Sequence, residues 1–333
     1  MTDLKKHKIL FSLVFMLGIS FLLCGCTEKK NDNANIVLKA GFSTNASDPR
    51  VVATEVFKVE VEEATEGRIT VEIYPDSELG ADSDLIKGVV NGTVDITASS
   101  AGNFASYDPN VGISAFPFLF DNFEDAWEFV DGDVEVKAES QLVDYNIRVL
   151  GHYDNGFRCV TTSDRVGPVN SVSDMEGLVI RTPENRIVMQ TMLLLGATPK
   201  VLPFNELYDA LKTGKFDAQE NPIPVIYNNN LYEVQSNLAI TNHSYDVMLF
   251  VIRDDIWKKL SEEDQKIISD AAKKAQELDR QLIREQTDEY IGKLQEAGMN
   301  ITYPDLSEFR SATSDAVNQF RDSYDADLLK LIR

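Results

Sequence analysis

Two arginines and an asparagine mark the stretch of this chain with the clearest chemistry. Arg158 follows Gly156-Phe157, Arg181 ends the apolar run Leu178-Val179-Ile180, and Asn221 lies in Asp217-Ala218-Gln219-Glu220-Asn221-Pro222. A guanidinium carries five donors in a planar fork, keeps its proton, and matches a carboxylate bidentately wherever water is excluded. On an apolar strand such a residue reaches solvent at the strand end, joins a structural salt bridge, or is held in a cleft to receive an anion. The rest of the chain is strongly acidic, with 54 Asp and Glu against 32 Lys and Arg and a net charge of −22. Salt-bridge partners are therefore abundant, and an anionic ligand needs a local positive site rather than long-range steering. The same balance argues against a nucleic-acid partner, which requires clustered basic residues.

Other chemistry is thin. His152 and His243 have no neighbouring Cys or His to complete a metal set, and His7 lies in the leader. Asp131-Gly132-Asp133 resembles the start of a calcium loop, but Glu135 and Lys137 break the ligand spacing, so it reads as an acidic turn. No Gly-x-Gly-x-x-Gly, Walker loop or Gly-x-Ser-x-Gly elbow is present. Acidic pairs are too numerous for any one to suggest a glycosidase. The residues call for no cofactor, no metal and no catalytic set. Cys159, in an apolar run, reads as a buried inert thiol in preference to a nucleophile.

At 333 residues the chain has room for two domains. It opens with Lys5, Lys6 and Lys8, an apolar run over 9–23, and Leu23-Cys24-Gly25-Cys26. This pattern reads as a signal peptide over 1–25 with Cys26 lipidated, an uncleaved anchor being the alternative. Residues 26–35 form a flexible tether, which places the mature protein on a membrane surface outside the cytoplasm. Beyond it, a strand over 36–41 precedes a helix that Asp48-Pro49 opens and Gly67 stops. Strands over 68–74 and 94–98 flank a helix near 83–90, an α/β order that implies parallel pairing. Consecutive strands at 147–151 and 156–161 are separated by Tyr153-Asp154-Asn155, where a domain crossing is expected. The strand carrying Arg181 leads to a helix capped by Asn185, and Phe204 introduces another that ends at Gly214. A polar segment then runs to an apolar strand over 247–252. The longest helix starts at Ser261, with Glu262, Glu263 and Asp264 at its positive end, and closes at Gly298. Its single apolar stripe suits a scaffold helix packed across both domains, or a partner coiled coil.

The ordered set Gly156-Phe157-Arg158, Ile180-Arg181-Thr182-Pro183, Leu195-Gly196-Ala197-Thr198-Pro199, Glu206-Leu207-Tyr208-Asp209-Ala210-Leu211 and Asp217 to Pro222 resembles the DctP-type solute-binding proteins of TRAP transporters. The resemblance extends from Ile36 to the C-terminus. It implies a two-domain α/β periplasmic-binding-protein-like fold, with a hinge and a long helix spanning both domains. Domain I would comprise 36–155 plus 247–285, and domain II 156–246 plus 286–333. It also implies that Arg181 pairs with a ligand carboxylate, helped by Arg158, with Asn221 as a donor and Phe204 packed on the ligand. The partners would be a small organic acid and the TRAP membrane permease subunits.

In the sialic-acid branch of that family an acid occupies the position of Ser100, which weakens a sialic-acid reading here. Asp82 keeps an acid at the start of a cleft-facing helix, suited to ligand hydroxyls. A uronate or other sugar acid fits slightly better than a C4-dicarboxylate. A ligand sensor using the same cleft, and an extracytoplasmic enzyme on a similar scaffold, are the competing readings.

Overall fold

The computed structural model describes residues 35–331, so the leader, Cys26 and nearly all of the tether lie outside the described residues. Strand β1 (Ile36–Gly41), helix α1 (Pro49–Ala64), β2 (Ile69–Tyr74), α2 (Asp82–Asn91) and β3 (Ile96–Ser100) form the first α/β unit. Its strands pair in parallel, β1 lying between β2 and β3. Helix α1 begins where its sequence dictates. The Asp48 side chain accepts from the Arg50 N–H, and Pro49 occupies the first turn, where its missing donor is no loss. Helices α3 (Phe123–Val130) and α4 (Asp133–Glu139) follow, making Asp131-Gly132 the joint between two helices.

The second α/β unit contains β5 (Val179–Thr182), α5 (Arg186–Leu194), β6 (Thr198–Val201), α6 (Leu207–Lys212), β7 (Ala218–Pro222) and α7 (Ile223–Asn228). Here β5 pairs in parallel with both β6 and β7. Two long strands join the units, β4 (Ile147–Thr162) before the second and β8 (Asn237–Arg253) after it. They run antiparallel through the middle of one sheet of order β2-β1-β3-β8-β4-β7-β5-β6, with β9 (Asn300–Thr302) added to β8. After α8 (Asp254–Trp257), the 35-residue helix α9 (Glu262–Glu296) lies along both units. Its Ile268, Ala271 and Ala275 join the core around Phe57 and Phe250, whereas Leu294 joins the core around Leu207 and Ile226. Ser261 caps it by accepting from the Asp264 N–H. Tyr153 stacks on Phe250 at 4.5 Å and Phe57 meets the same ring edge-on at 5.2 Å. Each such aromatic buries enough apolar surface for about 2–3 kcal/mol. Helices α10 (Leu306–Thr313), α11 (Ala316–Gln319) and α12 (Ala326–Leu331) finish the chain, and Ala316 and Leu328 pack against Ala138 of α4.

Several elements differ from their sequence expectation. The two strands read at 147–151 and 156–161 are one strand, because register shifts at Val149/Gly151, Asp154/Gly156 and Arg158/Val160 absorb the irregular residues without ending the ladder. Gly156 takes φ +100°, a conformation open to glycine and strained for other residues. Strand β8 starts ten residues before its apolar run, and its first half carries buried polar side chains such as Thr241 and His243. That composition hides it from a hydropathy reading. Strand β6, at the sheet edge and mostly exposed, and helix α7, beginning after Pro222, carry no apolar period long enough to be read.

Candidate ligand-binding cleft

The crossing of β4 and β8 places the two α/β units edge to edge, and a cavity of about 390 Å³ lies beside the crossing. Arg181, Arg158, Asn221, Phe204, Ser100 and Asp82 all line it. It adjoins a second space of about 460 Å³ that shares Asp82, Arg181 and Phe204. Arg158 reaches it from β4, opposite Pro222 of β7 on one side and Ser244 of β8 on the other. Arg181 sits on β5, opposite Gln219 of β7 and Lys200 of β6. Phe204 follows β6 in a single 3₁₀ turn, and the Arg181 guanidinium carbon lies 6.0 Å from its ring centre. Ser100 ends β3 opposite Met248, and Asp82 opens α2.

Both arginines are 3% exposed, yet their surroundings differ. Arg158 is saturated with acids. Its Nη2 donates to the Glu220 carbonyl and to Glu220 Oε1, both at 2.9 Å, its Nε donates to Glu220 Oε2, and its Nη1 donates to Asp246. Burial pulls its pKa down, but Glu220 and Asp246 outweigh that and raise it. Burial likewise pushes the Glu220 carboxyl upward, and Arg158 together with His243 more than offsets this, leaving it lowered. Arg181 has no carboxylate partner among the described residues. Its Nε and Nη2 both donate to the Leu202 carbonyl, at 2.9 and 2.7 Å, and its Nη1 has no protein acceptor. Burial, helped by the nearby Arg158 charge, lowers its pKa to about 10 against the opposing pull of Glu220 and Asp82. A buried cation with one neutral acceptor is electrostatically unfinished.

The remaining wall is polar and mostly neutral. Asp82 Oδ1 accepts from the Ser43 hydroxyl at 2.8 Å and from the Ser99 hydroxyl at 3.0 Å, while Oδ2 has no protein partner. The Ser100 hydroxyl donates to Asp246 at 3.0 Å. The Asn221 amide donates to Gln219 and its oxygen accepts from Arg158 at 3.3 Å. Asn103 lines both cavities, and its buried Oδ1 has no partner.

Sequence reasoning missed Arg50, Asn155 and Asn103 as cleft residues, and Glu220 and Asp246 as the partners of Arg158. Arg50 did carry a signal. It sits in the first turn of α1, the wrong end of a helix for a cation, and it stays there because Asp48 binds its Nε at 2.9 Å. Asn155 accepts from Arg50 at 3.3 Å and donates to Asp246 at 2.8 Å, linking the two paired arginines.

Other reactive groups lie away from the cleft or are inert. Burial raises the Cys159 thiol to about 11, consistent with a structural sulfur. His152 bonds Glu139 at 3.0 Å and Asp131 at 3.3 Å, and His243 lies 3.4 Å from Glu220. Among the described residues, no group of three or more His, Cys, Asp or Glu is arranged to hold a metal ion, and no helix is long and apolar enough to cross a membrane.

Residues 40–323 match the model of the DctP family, bacterial extracellular solute-binding protein family 7. The chain is 35% identical over 302 residues to the 2,3-diketo-L-gulonate-binding periplasmic protein YiaO of Escherichia coli (strain K12), covering 89% of this chain and 90% of the relative. A TRAP periplasmic solute-binding protein from Polaromonas sp. JS666, bound to D-erythronate, superposes with a TM-score of 0.85 at 32% identity, over 89% of this chain and 98% of that one. Another, from Roseobacter denitrificans OCh 114 with bound L-galactonate, gives 0.83 at 29% identity over 90% and 97% of the two chains. Family and fold thus agree with one another, and the family consists of receptors, not enzymes. The chain belongs to the DctP family of extracellular solute-binding proteins, the receptors that serve TRAP transporters.

Proposed function

We propose that this receptor captures a small organic acid, a sugar acid or a C4-dicarboxylate, by pairing its carboxylate with Arg181. The observation that carries the proposal is the buried Arg181 guanidinium, which has a carbonyl on one edge and no carboxylate among the described residues. Taking a carboxylate from water costs several kcal/mol, as does leaving an arginine buried without an anion, and pairing the two offsets both. Arg158 and Asn221 frame the same cavity, and Phe204 flanks the guanidinium. D-Erythronate and L-galactonate, bound by the two structural relatives above, are acids of this class. Closure of domain I (36–155 plus 247–285) on domain II (156–246 plus 286–333) about the β4–β8 crossing gives the ligand its differential affinity for the closed form. The closed form is then delivered to the membrane permease, with Cys26 acylated to hold the receptor at the membrane surface.

Thermal-shift measurements with C4-dicarboxylates, uronates, aldonates and 2-oxoacids test the reading. A cognate acid at a hundredfold excess over its dissociation constant stabilises by about 2.7 kcal/mol. Arg181→Ala should abolish that shift and leave the ligand-free melting temperature within a few degrees. A ligand shift that survives in this variant would sink the arginine assignment. Membrane retention of wild type and release of Cys26→Ser would test the anchor.

A further inference from the structure

The charges around the cavity are unequal in a way that bears on the second end of the ligand. Three guanidiniums, Arg50, Arg158 and Arg181, stand against four carboxylates, Asp48, Asp82, Glu220 and Asp246. Asp48 occupies Arg50 through its Nε, and Glu220 with Asp246 occupies Arg158. Among the described residues around the cavity that leaves one cation with no acid in ion-pair contact, Arg181, and one acid with no cation in such contact, Asp82. Both border the same two adjoining spaces.

Asp82 is held in place and unfinished in its turn. Two serine hydroxyls, from Ser43 and Ser99, both donate to Oδ1, which fixes the carboxylate plane and leaves Oδ2 without a protein donor. A carboxylate only accepts, so Oδ2 calls for a donor from the ligand. The helix that Asp82 opens offers no compensating positive end for an anion, because Asp82 and Asp84 already occupy its first turn. Asn103, whose buried Oδ1 has no partner, lines the same space. Acceptors on this wall match ligand hydroxyls, whereas a second carboxylate would meet a like charge with no cation free to neutralise it. The surrounding field of a chain with net charge −22 acts in the same direction.

We infer that the cleft is selective for polyhydroxy monocarboxylates of the aldonate type and rejects diacids, with Asp82 the residue that sets this discrimination. The inference rests on the arginine–carboxylate reading above and divides the ligand classes that reading leaves together. Arg181 takes the carboxylate, and Asp82 with Asn103 accepts from the hydroxyls of the far end.

Matched ligand triads test it on the intact receptor by calorimetry: erythronate, meso-tartrate and erythritol; galactonate, galactarate and galactitol; gulonate, glucarate and sorbitol. Within a triad only the terminal groups change. The expected result is binding of at least one aldonate, with its diacid at least tenfold weaker and its alditol without measurable binding. An aldonate and its diacid binding equally would overturn the inference and leave the arginine reading standing. Diacids binding while every aldonate fails would overturn it in the same way. If every acid fails while a uronate or 2-oxoacid of the wider panel binds, only this inference falls; if every acid of both sets fails, or an alditol binds as well as its aldonate, both readings fall. Asp82→Asn should narrow the aldonate-to-diacid ratio at least tenfold. A variant that folds, binds the aldonate and keeps the full ratio removes Asp82 from the role. The wild-type triads decide the ligand class even if that variant does not fold.

Discussion

Arg158 and Arg181 share a cavity, a residue type and a degree of burial, and the fold treats them oppositely. Arg158 stands where β4, β7 and β8 meet, and Glu220 and Asp246 take up its donors. Arg181 stands one strand further out on β5 and receives a single backbone carbonyl. A buried charge whose partners come from the protein is part of the fold, and removing it exposes those partners. A buried charge without such a partner is a debt that a ligand can settle. Three interventions sharpen this contrast on the cleft itself, and a fourth compares the cleft acids with those at the β4–β8 crossing.

The largest effect is expected from Arg158→Met. It leaves Glu220, 0% exposed, and Asp246, 4% exposed, facing one another without their shared cation. Breaking a buried pair in this way costs about 3–5 kcal/mol. For a chain of this size that lowers the melting temperature by about 10 °C, read by calorimetry without ligand. Arg181→Met, by contrast, should leave the ligand-free protein unchanged or more stable. Equal losses in the two variants would erase the distinction between them.

Glu220→Gln addresses the same contrast from the acid side. It removes one negative charge beside Arg158 and should destabilise by about 1–3 kcal/mol in urea unfolding. It also leaves Arg158 less fully neutralised, more like Arg181. The discrimination of aldonate from diacid should then shrink in calorimetric titration. If stability falls with no change in discrimination, Arg158 is structural alone.

Arg181→Lys separates charge from geometry. Lysine keeps the cation but loses the fork that binds Leu202 and a carboxylate together, so affinity for the best aldonate should fall about tenfold, or about 1.4 kcal/mol. An unchanged constant would mean that a point charge suffices.

The contrast also shows how far a sequence can be read. The Arg181 strand, the Asn185 cap and the Ser261 start of α9 were visible because their signals are local: an apolar run, a capping side chain, acids in a first turn. What finishes Arg158 was not visible, because Asp246 lies 88 residues away on a strand whose first half is polar. Glu220 lay in a conspicuous motif, but nothing local indicated that β4 and β7 would pair Arg158 with Pro222 and so bring the two side chains together. The six residues expected in the cleft do meet there. Which of the two arginines is already occupied is a long-range fact, and only the sheet order supplies it.

The smallest effect concerns acids that, unlike Glu220, have no dedicated cation. At the β4–β8 crossing the Asp154 N–H donates to Asp279 of α9, and each carboxylate keeps one buried oxygen without a partner. Burial pushes Asp154 up to about 6, with the Trp127 N–H and Arg280 opposing, and burial raises Asp279 as well. Arg280 is held by Asp131, at 2.6 Å. A carboxyl raised in the folded state binds more protons there than in the unfolded chain, so its stabilising effect is present at low pH and lost as pH rises. Glu220, lowered, acts in the opposite sense, and its contribution is complete above its unfolded value near 4.5. His152, raised to about 10, holds its full contribution up to its unfolded value near 6.5. Between pH 5 and 6.5 the raised acids therefore dominate. Stability in urea should fall across that interval. Glu135, raised to about 8 by burial and by Glu139, contributes in the same direction, so Asp279→Asn should reduce the slope without abolishing it. An unchanged slope in Asp279→Asn would assign the whole effect to Asp154 and Glu135. A slope of opposite sign in wild type would mean that the crossing, like Arg158, is fully paired within the fold.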